Sequence, residues 1–401
     1  MSLRQEAEAM REELCTLRRE LHQIPEIGLD LPQTQARVLA ALDGLPLEIS
    51  TGTAVSSVTA VLRGGRARTD GQPGPVVLLR GDMDALPVTE ATGVAFASRY
   101  PGVMHACGHD LHVAGLVGAA RLLAARREQL AGDVVFMFQP GEEGWHGARA
   151  MIDEGVLTAA GRPVDKAYGL HVISSTYDRG VFAGRPGPFM SASAGLFVRV
   201  VGAGGHGSSP HDALDPIPVA CEMVTALQAM VTRRFDIFDP VVVTVGVFNA
   251  GTRRNIIPDD ASFEATVRSF SGDVLGRAGE YAVRLCEGIA AAHGLRAEVS
   301  FDLEYPATVN DAAEHDFVAA TVRDVFGEQR YTEVPDPDPG SEDFSYVLQQ
   351  VPGAYLFLGA CTTTDPAAAP ANHSPRAAFD DAVLPDAATL LAELAARRLA
   401  G

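Results

Sequence analysis

The chain has 401 residues, enough for two domains, and its 47% hydrophobic content allows sizeable buried cores. Against 32 Lys and Arg stand 51 Asp and Glu, a formal net charge of −19 at pH 7. That field repels nucleic acid and anionic membrane surfaces, so neither is an expected partner. The five cysteines, Cys15, Cys107, Cys221, Cys286 and Cys361, are odd in number and scattered, which is no disulfide framework. Met1 to Glu13 is charged and has no apolar core of signal-peptide length. No run approaches the roughly 18 apolar residues of a membrane helix. A reduced, cytoplasmic protein is expected.

The first twenty residues set Leu at helical spacing among charges and predict a surface helix ending near His22, just before Ile24-Pro25. Short apolar runs at 76–79, 134–138 and 167–172 predict buried strands, with an Ala- and Leu-rich helix over 112–127 between the first two. This alternation predicts an α/β domain with a mixed, mostly parallel sheet. From about residue 188 the pattern changes. Strands are predicted at 196–201, 241–247, 261–270 and 297–302, with helices over 216–233 and 274–293. The order β-α-β-β-α-β is that of a compact ferredoxin-like α+β unit. It is expected as an insertion over 188–302 into a domain made of 1–187 and 303–401.

The chemistry concentrates in a few segments. Met104 to His112 packs one thiol, three imidazoles and a carboxylate into nine residues, and Gln139-Pro140-Gly141-Glu142-Glu143 closes an apolar run with paired carboxylates. Sulfur, imidazole nitrogen and carboxylate oxygen together form the ligand set of a transition-metal hydrolase. Asp82 and Asp84 follow one predicted strand, Glu142 and Glu143 a second, and His171 ends a third. Ligands of open α/β sheets gather at that carboxyl edge. Alone, Cys107 would read as a core thiol, but its His-x-Cys-x-His setting is a poor choice for a core. A nucleophilic Cys–His hydrolase would leave Glu142, Glu143, His171 and His373 unexplained. His105 and His112 read as structural or supporting groups, and Asp82 and Asp110 as weaker candidates of the same kind.

An ordered series of segments spans nearly the whole chain: Gly81-Asp82-Met83-Asp84, Cys107-Gly108-His109, Gln139 to Glu143, Gly169-Leu170-His171, Gly204-Gly205-His206-Gly207, Asn255-Ile256-Ile257-Pro258, Thr266-Val267-Arg268, Glu342-Asp343-Phe344 and Asn372-His373-Ser374-Pro375. It resembles the M20 family of metallopeptidases and amidohydrolases, in its branch of aminoacylases, hippurate hydrolases and indoleacetyl–amino acid hydrolases. Leu31, Ala54 and Ala203 stand where that family commonly has glutamate, glycine and lysine, which bears on substrate preference and not on the ligand set.

The resemblance implies two divalent ions, zinc or manganese, bridged by Cys107 and completed by His109, Glu143, His171 and His373. It implies that Glu142 is a general base, taking a proton from the attacking water and passing it to the leaving amine. Asp84 would orient a ligand imidazole. His206, in a glycine-rich turn, would stabilise the oxyanion at a partner subunit's site. Asn255 and Arg268 would grip a substrate carboxylate, for which Arg is suited. The inserted domain would serve as dimerisation domain and lid. The expected enzyme is an amidohydrolase acting on small N-acyl amino acids, a homodimer or a tetramer of paired dimers. The rivals are a dipeptidase or carbamoyl-type amidohydrolase on the same scaffold, and a metal-free binding protein.

Overall fold

The computed structural model describes residues 1–67 and 72–400. They form two compact units: Met1–Gly187 with Val309–Asp336 and Asp343–Gly401, and Pro188–Thr308 with Pro337–Glu342. Among the described residues, the first unit is built on an eight-stranded mixed sheet. Its centre is four parallel strands in the order Asp133–Gln139, Val76–Asp82, Lys166–Ile173 and Gly353–Gly359. Leu47–Thr51 and Val58–Leu62 extend one side in antiparallel fashion. On the other side, Phe182–Gly184 pairs antiparallel to Gly353–Gly359 and parallel to Tyr331–Glu333. The central strands are buried nearly end to end, which is why they read as continuous apolar runs.

The helix His109–Ala124 fills one side of this core and packs against the helices Leu384–Arg398 and Arg11–His22. Gly118 allows the close approach, since a Cβ there would sit 2.7 Å from the Ala388 methyl. The helix begins three residues before the predicted start at 112. His109 and Asp110 are polar, and so read as loop, yet both are buried in its first turn. The N-terminal segment is two helices, Leu3–Ala9 and Arg11–His22, broken at Met10. It is only partly a surface element, because Leu14, Leu17 and Leu21 are buried.

A buried charge network pins the two helices together. Arg18 Nε lies 2.8 Å from Asp110 Oδ2, and His22 Nδ1 lies 2.7 Å from the same oxygen. On its other side, His22 Nε2 is 3.2 Å from Glu90 Oε1. Burial opposes charge on His22, but Asp110 and Glu90 outweigh it and raise the imidazole above its ordinary range, despite the opposing Arg18. Glu90 is held down at about 2: burial would raise it, and His22, Thr92 and the Ser98 N–H prevail.

In the second unit, four antiparallel strands lie in the order Val241–Ala250, Asp260–Ser269, Ala192–Val201 and Arg296–Tyr305. Counted along the chain this is 2-3-1-4, the ferredoxin-like arrangement. The helices Pro216–Arg234 and Gly272–Ala292 pack on the sheet. Each starts at a side-chain cap: Asp215 accepts the Ile217 N–H, with Pro216 next in line, and Ser271 accepts the Val274 N–H. No helix of the described residues is long and apolar enough to cross a membrane.

The network predicts a pH signature. Glu90's carboxyl is depressed on folding, so its stabilisation is present above the unfolded value of 4.5 and is lost as pH falls towards about 2. The His22 contribution has the opposite sign: it is complete below 6.5 and is lost as pH rises through the higher folded value. The difference in melting temperature between the wild type and Glu90→Gln is therefore expected to be widest between about pH 5 and 6.5. It should narrow towards pH 2 and again at alkaline pH. A pH-independent difference would contradict this reading.

Candidate metal centre

The carboxyl edge of the parallel strands gathers the polar motifs. Asp82 ends one strand, Glu142 and Glu143 follow the next, and His171 lies near the end of the third. His373 comes from the segment after Gly353–Gly359, and Cys107 and His109 flank the start of the crossover helix. Gly108 between them has φ 80°, and a Cβ there would meet the Val172 side chain at 2.4 Å, so only glycine permits this turn.

Cys107 is the geometric centre. Its Sγ lies 3.3 Å from His171 Nε2 and 3.2 Å from His373 Nε2. His373 Nε2 is also 3.2 Å from Glu143 Oε1. The donor atoms of Cys107, His109 and His171 all lie within 4.8 Å of one another, as do those of Cys107, Glu143 and His373. The thiol thus belongs to two three-residue groups, the arrangement a bridging ligand needs. A third group, His109 with Glu142 and Glu143, overlaps both.

The hydrogen bonds fix which nitrogens are available. His109 donates from Nδ1 to the Asp84 carbonyl at 2.9 Å, and its buried Nε2 has no hydrogen-bond partner among the described residues. His171 donates from Nδ1 to the Val172 carbonyl at 2.8 Å, which turns Nε2 to the thiol. An unpartnered buried nitrogen, a thiol and carboxylates around one point fit divalent metal ions. His112 differs. Its Nε2 accepts the Val172 N–H at 2.8 Å and its Nδ1 donates to Asp82 at 2.5 Å, so both nitrogens are used and the ring braces the site. His105 is buried with neither nitrogen partnered among the described residues, and burial lowers it to about 3.

The local field asks for positive charge. Burial would lower His109, but Asp82, Asp84 and Cys107 outweigh it and hold the imidazole well above its ordinary range. His373 is raised to about 10, chiefly by its bonds to Cys107 and Glu143. Glu143 is lowered despite its burial, by His373 and His109. His171 is pushed down, by burial and by His112 and His109 beside it.

Asp84 ties these pieces together. Its carboxylate accepts the backbone N–H groups of Glu142 at 2.9 Å and Glu143 at 3.1 Å, its carbonyl takes the His109 Nδ1 proton at 2.9 Å, and its Oδ1 lies 3.5 Å from the same nitrogen. Beneath lies Arg80, fully buried. It bonds Gln139 at 2.8 Å, Asp82 at 2.6 Å, and Tyr355 and Asp343 each at 3.1 Å. Asp343 in turn accepts from Gln139 and the Ala148 N–H, and its own N–H points to Glu142 Oε1 at 3.4 Å. The sequence reading assigned no role to Arg80, Gln139, Asp343 or Asn372. A lone arginine inside an apolar strand is the signal that could have found this network, because a buried guanidinium requires carboxylate partners.

The remaining candidates lie in the second unit. His206 and Asn255 sit side by side on a short ribbon: His206 is paired with Ile256, and the Gly207 N–H donates to the Asn255 carbonyl at 2.9 Å. His206 is exposed, and its Nδ1 accepts the Ser208 backbone N–H at 3.2 Å, which leaves Nε2 to carry the ring proton outward. Arg268 lies on the strand Asp260–Ser269 and donates to Ser341 Oγ at 2.8 Å.

Asp84→Ala should retain the fold but weaken metal binding about 10–100-fold, because it frees the Glu142-Glu143 backbone. Titration of metal-free protein with zinc checks this, and an unchanged affinity would contradict the clamp.

The peptidase family M20/M25/M40 model matches residues 78–397. Thermostable carboxypeptidase 2 of Saccharolobus solfataricus is 37% identical over 95% of this chain and 94% of its own length. The N-acetyl-L-cysteine deacetylase of Bacillus subtilis is 34% identical over 97% of this chain and 89% of its own. The crystal structure of the Bacillus subtilis YXEP protein, a dinuclear metal binding peptidase from the M20 family, superposes with a TM-score of 0.82 at 31% identity, covering 98% of this chain and 99% of that one. The chain belongs to the peptidase family M20/M25/M40 and is a hydrolase acting on amide bonds.

Proposed function

We propose that the protein is a binuclear metal-dependent amidohydrolase that cleaves N-acyl-L-amino acids into a carboxylate and a free amino acid. The observation that carries this reading is the Cys107 thiol, shared at 3.2–3.3 Å between two imidazoles of separate ligand groups with Glu142 beside them. His109 and His171 would complete one group, Glu143 and His373 the other. Thiolate and imidazole favour zinc, and the carboxylates also admit manganese. When bound, such ions polarise the substrate carbonyl and acidify water.

The chain's own groups would do the rest. Glu142 is buried, its backbone held by Asp84 and its Oε1 near the Asp343 N–H, so its carboxylate is positioned to take a proton from the attacking water and return it to the leaving amine. Arg268 and Asn255 would bind the amino-acid carboxylate. His206 would present its Nε2 proton to the oxyanion, in the active site of a partner subunit. The second unit would accordingly be a dimerisation domain and lid, with the enzyme a homodimer. Five free cysteines suit a reducing, cytoplasmic setting.

Names of relatives support two substrate types. The deacetylase favours acyl amino acids, and the carboxypeptidase favours peptides; both place a free carboxylate next to the scissile amide. A panel of N-acetyl, N-benzoyl and dipeptide substrates on zinc- and manganese-loaded enzyme separates them, with the acyl amino acids expected to give the highest kcat/KM. Chelation should abolish turnover, and full activity in verified metal-free protein would overturn the proposal.

Glu142→Gln should retain both metals and bind substrate while kcat falls about 10²–10⁴-fold, the typical loss for a proton-transfer group. Loss of metal instead would make Glu142 a ligand.

His206→Ala should lower kcat about 10²–10³-fold at unchanged metal content. In mixed dimers of His206→Ala and Glu142→Gln chains, one site carries both lesions and the other neither, so activity should return. Confirmed subunit exchange without recovery would contradict action across the dimer.

A further inference from the structure

We infer that Asn372 is a positioning residue of the metal centre, its side-chain amide hydrogen-bonding the Cys107 thiolate and setting His373 in place. The inference rests on the binuclear reading of Cys107 and goes beyond its ligand set.

Unambiguous backbone partners fix the orientation of the amide. Oδ1 accepts the Ser174 N–H at 2.9 Å, and the Ser174 hydroxyl lies 2.9 Å from the same oxygen. That hydroxyl is also bonded to the Pro370 carbonyl at 2.8 Å. Nδ2 is therefore on the opposite side, where it donates to the Val172 carbonyl at 3.0 Å and reaches the Cys107 carbonyl at 3.4 Å and the Cys107 Sγ at 3.7 Å. A flipped amide would set its oxygen against two carbonyls. One side chain thus links the strand carrying His171, the residue carrying the thiol, and the segment carrying His373.

The next residue shows why such a link is needed. His373 adopts φ 70°, a left-handed conformation that side chains other than glycine rarely take. Its imidazole is 56% exposed, so packing does not hold it. Its ring is held at the tip by Cys107 and Glu143, and its backbone by its own N–H, which donates to the Ala106 carbonyl at 2.9 Å, and by the anchored Asn372 before it. An unusual backbone conformation persists where its surroundings over-determine it, and on the backbone side these two restraints do so.

The thiolate contact has a further consequence. An N–H donor stabilises the sulfur lone pairs of a metal-bound thiolate, so its removal shifts sulfur-to-metal charge transfer to lower energy. Asn372 therefore affects both how tightly the second ion binds and how strongly the bridge donates to it.

The test uses the purified protein with cobalt(II) alone as probe. Wild type should bind two cobalt ions per chain and show a thiolate-to-cobalt absorption band. In Asn372→Ala that band should move to longer wavelength, and the weaker of the two cobalt affinities should fall about 10–100-fold, the usual effect of losing a group that orients a ligand. Ser174→Ala keeps the amide but removes one of the two groups at its Oδ1. It should shift the band in the same direction by less, and it decides the matter if Asn372→Ala does not fold. Bands and affinities identical to wild type in the folded variants would overturn the role of Asn372 alone. Absence of any thiolate–cobalt band in the wild type would overturn the binuclear reading, and this inference with it.

Discussion

Asp84 is the interaction on which the site depends. Its two carboxylate oxygens hold the backbone of Glu142 and Glu143, and its carbonyl fixes the ring of His109. Glu142 and Glu143 follow one strand and His109 opens a helix, and nothing in secondary structure alone would bring them together. A carboxylate bonded to two backbone N–H groups is also a short, stiff tether, since it closes the turn after the strand and removes the freedom of the acidic pair. The position of Cys107 follows from the same principle on the other flank, where Gly108 turns the chain just before the helix begins.

The site lies over a floor of compensated charge. Arg80 is fully buried in the central sheet, and Asp82 and Asp343 meet it there. Burying an ion is costly unless it is paired and hydrogen-bonded, and each member of this set has several partners. The result is a rigid base: Asp82 braces His112, and His112 in turn accepts the Val172 N–H one residue beyond His171. At this edge of the sheet Asp82, Asp84 and Cys107 raise His109, and Cys107 and Glu143 raise His373, a local field that favours cations.

Much of this was legible in the sequence. The parallel strands appear as apolar runs because both their faces are covered, and the order of strands and helices after residue 188 is that of the ferredoxin-like unit. The ligand-type residues were visible because cysteine, histidine and paired carboxylates are rare neighbours in an apolar domain. Roles that depend on direction were not legible. That the Asp84 carboxylate also takes the Glu142 and Glu143 N–H groups, and which His112 nitrogen donates and which accepts, is decided by which lone pair faces which N–H in the fold. The Arg80–Asp343 pair is separated by 263 residues, and no local pattern encodes it. Asn372 stood in view within its motif, but its amide acquires meaning only once Val172, Ser174 and Cys107 surround it. The start of the His109 helix was missed because buried polar residues imitate a loop.

The central claim is that one sulfur is shared by two metal ions. X-ray absorption at the zinc edge of the fully loaded protein measures this directly. The account predicts one sulfur per zinc at about 2.3 Å and a zinc–zinc vector of about 3.5–4 Å. A spectrum with only nitrogen and oxygen in the first shell, or with no metal–metal vector at full loading, would contradict it.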